Sequence, residues 1–408
     1  MSAIAIPAVS VEAPPVRARI DSIDIMRGLI MVIMALDHIR DYFHNQSQLF
    51  DPTNLARTDA FLFFTRWITH FCAPGFMFLA GTAAYLYARR GRSTSEVSRF
   101  LLTRGLWLVV LELTVVAWFG WNFGFNRNEL ALAVIWALGW SMVALAGLIY
   151  VPWRVLLAFS LAMIVFHNAF DGVQPEQFGA LAWLWRVLHV RSPLLLSSIG
   201  LSPLVAYPLV PWIGVMAAGF CFGRVLDLGS VRRRRILVWL GVSVTAAFVV
   251  LRWSNLYGDP SPWSVQATPV LTVASFLNCT KYPPSLLYLL MTLGPTLLVL
   301  AALEGVRVAS WNPFVVFGRV PLFYYLLHIP LLHAVALVFA ELRYGRMSFM
   351  LSMPASLRGP RPDFPTDYGY DLGTVYLIWI AIVLVLYPAC RWYAGVKQRN
   401  RSALLSYL

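Results

Sequence analysis

The stretch RIDSIDIMRGLIMVIMALDH, residues 19–38, decides the fold. Nine mostly apolar residues separate Gly28 from His38, and the apolar character extends over residues 24–43. About 20 such residues are enough for a helix to cross a bilayer. Ionisable side chains inside a membrane span are costly, and each is a hypothesis for a functional site. The stretch therefore predicts a membrane helix that carries part of a site.

The composition of the whole chain agrees with this prediction. Of 408 residues, 59% are hydrophobic and 12% are charged, whereas about 25% are charged in a typical soluble protein. These values exclude a cytosolic enzyme and a disordered chain. The 16 Trp, 17 Tyr and 26 Phe are typical of a protein with two membrane–water interfaces, where aromatic rings collect.

Apolar runs of spanning length predict an all-α, polytopic membrane bundle of about ten to eleven transmembrane helices. We place ten spans, at residues 24–43, 64–88, 99–120, 130–150, 154–170, 204–223, 235–253, 284–303, 313–340 and 373–393. The ninth is long enough to tilt or to divide into two. We expect a single membrane domain over 19–396, a disordered cytoplasmic segment over 1–18 and a cytoplasmic tail over 397–408.

Basic residues predict the orientation. The net charge is +13, but Arg and Lys stand at the ends of apolar runs, which indicates membrane topology rather than nucleic-acid binding. With ten spans, the Arg-rich segments at 87–92, 232–235 and 391–401 lie on one side, so both termini are predicted to be cytoplasmic. A cell (inner) membrane location follows. The stretch 178–191 is predicted to be a helix in the outer interface.

Three polar side chains of the first span fall on one helical stripe. At 100° per residue, His38 lies about 20° from the direction of Arg27, and Asp24 lies about 60° from it. The functional interpretation is a site along this stripe. The alternative is an ion pair between Asp24 and Arg27 at the helix start, with His38 an interfacial residue.

The second and third spans add further candidates. Arg66 and His70 share a face at i,i+4, and Pro74 is expected to free the His70 carbonyl and kink the helix. His70 is either a site residue or a packing residue. Glu112 is flanked by apolar residues and needs a partner, which Arg104, Arg27 or a histidine could supply, so a structural ion pair and a catalytic acid both remain open.

Two later segments complete the set. The double proline after Lys281 and Tyr282 predicts a rigid entry to the eighth span, where Lys281 either holds an anion or is an ordinary interfacial lysine. In the ninth span Arg319 lies near the cytoplasmic mouth, and His328 lies deeper, beside the expected helix breaker Pro330. No His/Cys cluster with metal-ligand spacing is present in the sequence, and we predict no metal site.

The run Arg-x4-Asp-x2-Arg-Gly-x9-His, ending at His38, resembles the transmembrane acyltransferase superfamily, in particular the heparan-alpha-glucosaminide N-acetyltransferase-like family and its bacterial branch. Weaker similarity extends over about 17–396. It includes HFCAPGFMFLAG (70–81), YPLVPWIGVMAAGFCFGR (207–224), KYPPSLLYLLMTLGP (281–295) and FGRVPLFYYLLH (317–328).

The resemblance implies a membrane enzyme that moves an acetyl or other acyl group from cytoplasmic acyl-CoA to a hydroxyl or amine of an extracytoplasmic, carbohydrate-like acceptor. It also implies a His general base and a homodimer. His38 matches the motif histidine of the polysaccharide acyltransferases. In the heparan enzymes an Asn stands there and the catalytic His lies slightly later, which makes His44 the other candidate; we favour His38.

These arguments assign three groups of residues. The predicted catalytic group is His38, His44, Asp37 and His70. The predicted binding group for the acyl-CoA donor is Arg27, Asp24, Arg104 and Arg319. The predicted binding group for the acceptor is Lys281, Tyr282, His328 and Glu112.

Two other function classes compete with the enzyme. Intramembrane His, Arg and Asp together with broken helices also suit a proton-coupled transporter or exporter of a small anionic metabolite. We find no internal repeat, which such a carrier often shows. A scaffold subunit without chemistry is the third reading, and its buried ionisable residues argue against it.

Overall fold

The computed structural model describes residues 21–196, 200–359, 363–400 and 405. The predicted disordered segment 1–18 lies outside these residues, as does most of the predicted tail 397–408. The last helix continues to Arg399, so the predicted tail begins as helix.

The described chain is predominantly helical and has almost no strands, which confirms the predicted all-α membrane fold. Its helices are α1 (Asp21–Phe43), α2 (Ala60–Ile68), α3 (Cys72–Ala88), α4 (Thr94–Leu111), α5 (Val134–Leu148), α6 (Trp153–Phe166), α7 (Ala182–His189), α8 (Leu209–Phe222), α9 (Ser230–Ser254), α10 (Pro269–Leu277), α11 (Leu286–Ala302), α12 (Pro313–Arg319), α13 (Pro321–Tyr344), α14 (Ala355–Arg358) and α15 (Leu372–Arg399). A π-helical segment, Glu112–Trp121, continues α4. Two short strands, β1 (Ala131–Leu132) and β2 (Leu204–Val205), pair in parallel.

Seven helical segments of the described chain are long and apolar enough to cross a membrane. They are Ala60–Ala88, Thr94–Trp121, Trp153–Phe170, Leu209–Asp227, Ser230–Ser254, Pro321–Tyr344 and Leu372–Arg399. They correspond to seven of the ten predicted spans. The other three predicted spans are also helices: α1, which carries more charge, and the shorter α5 and α11. The stretch predicted as an interfacial helix contains α7.

Polar residues at the ends of the apolar runs explain where several helices begin. The side chain of Asp59 accepts a hydrogen bond from the amide of the first turn of α2, and Ser285 and Asp371 do the same for α11 and α15. Ser93 and Glu96 form a reciprocal capping box at the start of α4. Such caps satisfy amides that have no partner within the helix.

Helix α1 lies at the centre of the bundle and packs against α3, α12, α13 and α15. A Cβ atom on Gly28 would lie 1.8 Å from the Phe314 carbonyl oxygen, and one on Gly318 would lie 1.8 Å from the Asp24 carbonyl oxygen. Two glycines, one on each helix, therefore let the backbones of α1 and α12 touch. This contact is of the small-residue kind that packs helices in membranes.

Two prolines have different effects on their helices. Pro74 is four residues after His70, and the segment Thr69–Phe71 between α2 and α3 is a 3-10 turn, as expected for a kink at this position. The His70 carbonyl accepts a hydrogen bond of 2.7 Å from the Tyr288 hydroxyl. Pro330, by contrast, lies inside the continuous helix α13, so its prediction as a helix breaker is wrong. Neighbouring helices support a proline inside a membrane helix.

The predicted division of the ninth span occurs at another residue. Val320, with φ −132° and ψ 49°, separates α12 from α13. Pro321 begins α13, a position where its missing amide hydrogen removes no helical hydrogen bond.

Candidate active site

A pair of histidines joins the first predicted span to the ninth. The Nδ1 atom of His38 on α1 lies 2.8 Å from Nε2 of His328 on α13, and the two rings stack with their centroids 5.1 Å apart. His328 is fully buried, whereas His38 is only partly buried. The base candidate is therefore the more accessible member of the pair.

The hydrogen bonds of His328 determine the tautomer of both rings. Nδ1 of His328 lies 2.8 Å from the carbonyl oxygen of Tyr325 and 3.2 Å from that of Tyr324. Carbonyl oxygens only accept, so Nδ1 of His328 carries the proton and Nε2 of the neutral ring accepts. His38 must then donate from Nδ1, and its Nε2 keeps a free lone pair. This is the arrangement of an oriented general base.

The carboxylate of Asp37 belongs to a charge cluster rather than to the His38 ring. Arg66 contacts its two oxygens at 2.7 and 2.6 Å, and Arg40 lies 2.9 Å away. Lys281 is 4.0 Å from the same carboxylate. Arg40 also binds Asp41 at 2.6 Å. Three cations and two carboxylates therefore meet next to His38, whereas the ring of His38 has its hydrogen bond with His328.

The loop that carries Lys281 and Tyr282 is held by two buried residues. Asp259 accepts hydrogen bonds from the Thr280 amide at 2.8 Å and from the Ser285 hydroxyl at 2.6 Å. Arg252 is 1% exposed and donates to the carbonyl oxygens of Ser261, Ser275, Phe276 and Asn278. Side chains outside the double-proline motif therefore also hold this loop in place.

Tyr282 lies among the cations of the cluster. Its ring faces Lys281 at 5.2 Å and Arg191 at 4.8 Å, and its hydroxyl is 3.5 Å from that of Tyr207. Burial opposes ionisation of the Tyr282 phenol, but Lys281 and Arg66 outweigh it and hold its pKa below the usual value. The predicted acceptor residues Lys281 and Tyr282 therefore share one electropositive region.

The two other predicted catalytic histidines have different surroundings. Nδ1 of His44 accepts a hydrogen bond of 3.2 Å from the Gln46 backbone amide in the loop after α1. The lone pair of this nitrogen is therefore already engaged. Burial, reinforced by Arg40, lowers the pKa of His44 to about 4. His70 is 2% exposed, packs edge-on against Tyr288, and its Nδ1 has no hydrogen-bond partner among the described residues.

Glu112 lies against the start of a helix. One oxygen of its buried carboxylate accepts from the amides of Ile135 and Trp136 at 3.1 and 3.3 Å. These are first-turn amides of α5, whose N-cap residue, Ala133, supplies no side-chain cap. A carboxylate at this point satisfies orphan donors and complements the helix dipole. The partner of Glu112 is therefore backbone, where the sequence analysis expected an arginine or histidine.

Two of the predicted donor residues, Asp24 and Arg27, lie near the start of α1, away from His38, and Arg319 follows Gly318, which packs against Asp24. Arg27 donates to the Leu79 carbonyl oxygen at 3.1 Å and is 3.9 Å from the Asp24 carboxylate. Arg104 faces the Phe100 ring at 5.8 Å. Arg319 contacts the Ser310 carbonyl oxygen at 3.5 Å.

Sequence reasoning missed one residue that touches the base candidate. The ring of Trp121 meets His38 edge-on at 5.0 Å. Trp121 is 5% exposed, and its indole N–H has no acceptor among the described residues. A buried donor without a partner is rare and costs about 1–3 kcal/mol. No pattern in the sequence distinguishes Trp121 from the other tryptophans.

The fold and this site define a multi-pass membrane protein with a histidine pair and a charge cluster inside the bundle. The family model for the heparan-alpha-glucosaminide N-acetyltransferase catalytic domain matches residues 19–256. The chain belongs to this family, which confirms the resemblance seen in the sequence and supports membrane acyltransferase activity. His38 lies within the match, whereas Lys281 and His328 lie beyond it. A comparison with curated proteins finds no match.

Proposed function

We propose that this protein transfers an acetyl or other acyl group from cytoplasmic acyl-CoA to a hydroxyl or amine of an extracytoplasmic, carbohydrate-like acceptor. The observation that carries this proposal is the oriented His38–His328 pair, which leaves one imidazole nitrogen of His38 free to accept a proton. Imidazole is the side chain that most often accepts a proton as a general base in enzymes.

In the proposed reaction, Nε2 of His38 removes the proton from the acceptor as its oxygen or nitrogen attacks the thioester carbonyl carbon. The carbon–sulfur bond then breaks. The CoA thiolate takes the proton back from His38, which regenerates the neutral base. The products are the acylated acceptor and free CoA thiol, so every atom and charge is accounted for.

Two features near His38 support stabilisation of the developing oxyanion. The unpartnered indole N–H of Trp121 offers a preorganised donor beside the base. The charge cluster around Asp37 contains one more cation than carboxylates, and one of its cations is Lys281, a predicted acceptor contact. Donors fixed before the reaction stabilise an oxyanion without reorganisation. We propose Lys281 and Tyr282 as acceptor contacts.

We place the acyl-CoA phosphates at the opposite end of α1, near Asp24 and Arg27, with Arg104 and Arg319 as further cations. This end is proposed to be cytoplasmic, in an inner membrane, with both termini on that side and one domain over 19–396. The ion pair of Arg89 with Asp227, which joins the end of α3 to the segment after α8, supports a shared side for these basic ends.

Free CoA release tests the proposal. Purified wild type and His38→Ala are incubated with acetyl-CoA, with and without amino-sugar acceptors. We expect the wild type to release thiol and His38→Ala to lose at least about a hundredfold in rate, the typical contribution of a general base. Turnover retained in His38→Ala would overturn the role of His38. Absence of acetyl-CoA binding to the wild type would favour the transporter.

A further inference from the structure

Three potential metal ligands come together outside the proposed active site. His167 lies in the turn His167–Phe170 after α6, Asp171 follows that turn, and His189 is the last residue of α7. One ligand atom from each lies within 4.8 Å of the others. Among the described residues, no other group of three His, Cys, Asp or Glu side chains meets this condition.

The state of His167 points to a ligand at this place. His167 is 2% exposed, and neither ring nitrogen has a hydrogen-bond partner among the described residues. Its neighbours are already aligned, since Nε2 of His189 lies 3.2 Å from an Asp171 oxygen. A buried imidazole without partners costs free energy that binding of a cation by its lone pair would recover.

Surrounding residues orient these ligands. The side-chain amide of Asn168 donates to Oδ2 of Asp171 at 2.8 Å, which leaves Oδ1 directed toward His189. The other end of the same amide accepts from the Leu286 backbone amide at 2.8 Å. Outer contacts of this kind fix the direction of metal ligands. Leu286 begins α11, directly after the loop that carries Lys281.

We propose that His167, Asp171 and His189 bind one divalent transition-metal ion of the zinc class. Two imidazole nitrogens and one carboxylate oxygen are a ligand set that zinc accepts, with water in the fourth position. Tetrahedral ligands at about 2.0–2.2 Å lie roughly 3.4 Å apart, so small side-chain rotations close the site. The ion would brace the connection after α6 against α7 and α11, and this role does not depend on the proposed acyl transfer.

The spacing of these residues explains why the sequence predicted no metal. The pair His-x3-Asp resembles no common motif, and the third ligand follows 18 residues after Asp171. The turns between α6 and α7 bring the three together.

Metal binding to the full-length protein in detergent tests this site. After chelator treatment, Zn²⁺ is titrated calorimetrically, and Co²⁺ is used as a spectroscopic probe of ligand geometry. We expect one ion per chain with a tetrahedral Co²⁺ spectrum. His167→Gln and Asp171→Asn should each weaken binding by at least tenfold, while His44→Gln, a buried histidine elsewhere, should bind as the wild type does.

Thermal unfolding with and without Zn²⁺ separates binding from misfolding. An ion that binds only the folded state raises the melting temperature, and we expect this rise in the wild type and in His44→Gln but not in Asp171→Asn. Each variant must elute as a single species and unfold cooperatively without metal. Equal affinity of the wild type and both ligand variants, or no binding by the folded wild type, would overturn the proposal.

Discussion

His38 and His328, 290 residues apart in the chain, are joined by a 2.8 Å contact between ring nitrogens of two neighbouring helices. His328 is held in turn by the Tyr325 carbonyl oxygen. The pair thus extends from the backbone of α13 to the free nitrogen of His38. In the proposed reaction His328 is a positioning residue, because it contacts His38 and acts on the acceptor only through it.

Replacement of His328 tests this positioning role. His328→Ala removes the acceptor for the His38 Nδ1 proton, so His38 can take the wrong tautomer or rotate. We expect kcat to fall by about tenfold or more, less than the loss in His38→Ala, with an unchanged KM for acetyl-CoA. Steady-state kinetics of CoA release provide the measurement. A parallel rise in KM, or a fall in kcat matched by loss of folded protein, would contradict a positioning role.

The pair formed by Asp37 and Arg66 supports a prediction about stability. Removing the carboxylate in Asp37→Ala leaves Arg66 buried near Arg40 and Lys281 without its closest anion. Breaking a buried pair from one side typically costs about 3–5 kcal/mol. We expect a clear fall in melting temperature in detergent. The double variant Asp37→Ala/Arg66→Leu should lose less than the sum of the two single variants, and strict additivity would argue against coupling.

Arg27 supports a prediction about the donor. If its guanidinium binds acyl-CoA phosphate, Arg27→Ala should raise KM for acetyl-CoA by about tenfold, as expected for the loss of one charge-assisted hydrogen bond of about 1.5–3 kcal/mol. Arg154→Ala is the matched control, because Arg154 is an exposed arginine at the start of α6, on the same predicted side. An unchanged KM in Arg27→Ala would mean that Arg27 is a structural partner of Asp24.

The surroundings of His44 predict a pH dependence of stability. Its pKa is about 4 in the folded protein because of burial and Arg40, and about 6.5 when unfolded. The unfolded state therefore binds the proton more tightly, and the contribution of neutral His44 is lost as pH falls from about 6.5 toward 4. We expect the wild type to lose stability relative to His44→Gln over this interval. Melting temperatures measured at pH 7.5 and 5 test it, and parallel changes in both proteins would refute it.

The sequence predicted the helical membrane fold because membrane spans need long apolar runs that are visible without structure. The kink at Pro74 could also be predicted from local sequence, because a proline has no amide hydrogen to donate to the carbonyl four residues earlier, that of His70. The same local reasoning was wrong for Pro330, because packing of α13 against neighbouring helices outweighs one missing hydrogen bond. Local rules therefore hold where no tertiary contact competes with them.

In the candidate site, too, some features could be predicted from the sequence and others depended on tertiary contacts. The chain itself marked His38, Asp37 and His328 as unusual, because a polar residue in an apolar run stands out whatever its partner is. Only the tertiary structure decided that His328 contacts His38, that Arg66 pairs with Asp37 and that Glu112 caps α5. Hydrogen bonds and ion pairs depend on distances of a few ångströms between helices far apart in the chain. Helical periodicity gives the direction of a side chain around its own helix, but the packing of the bundle determines which residue it meets.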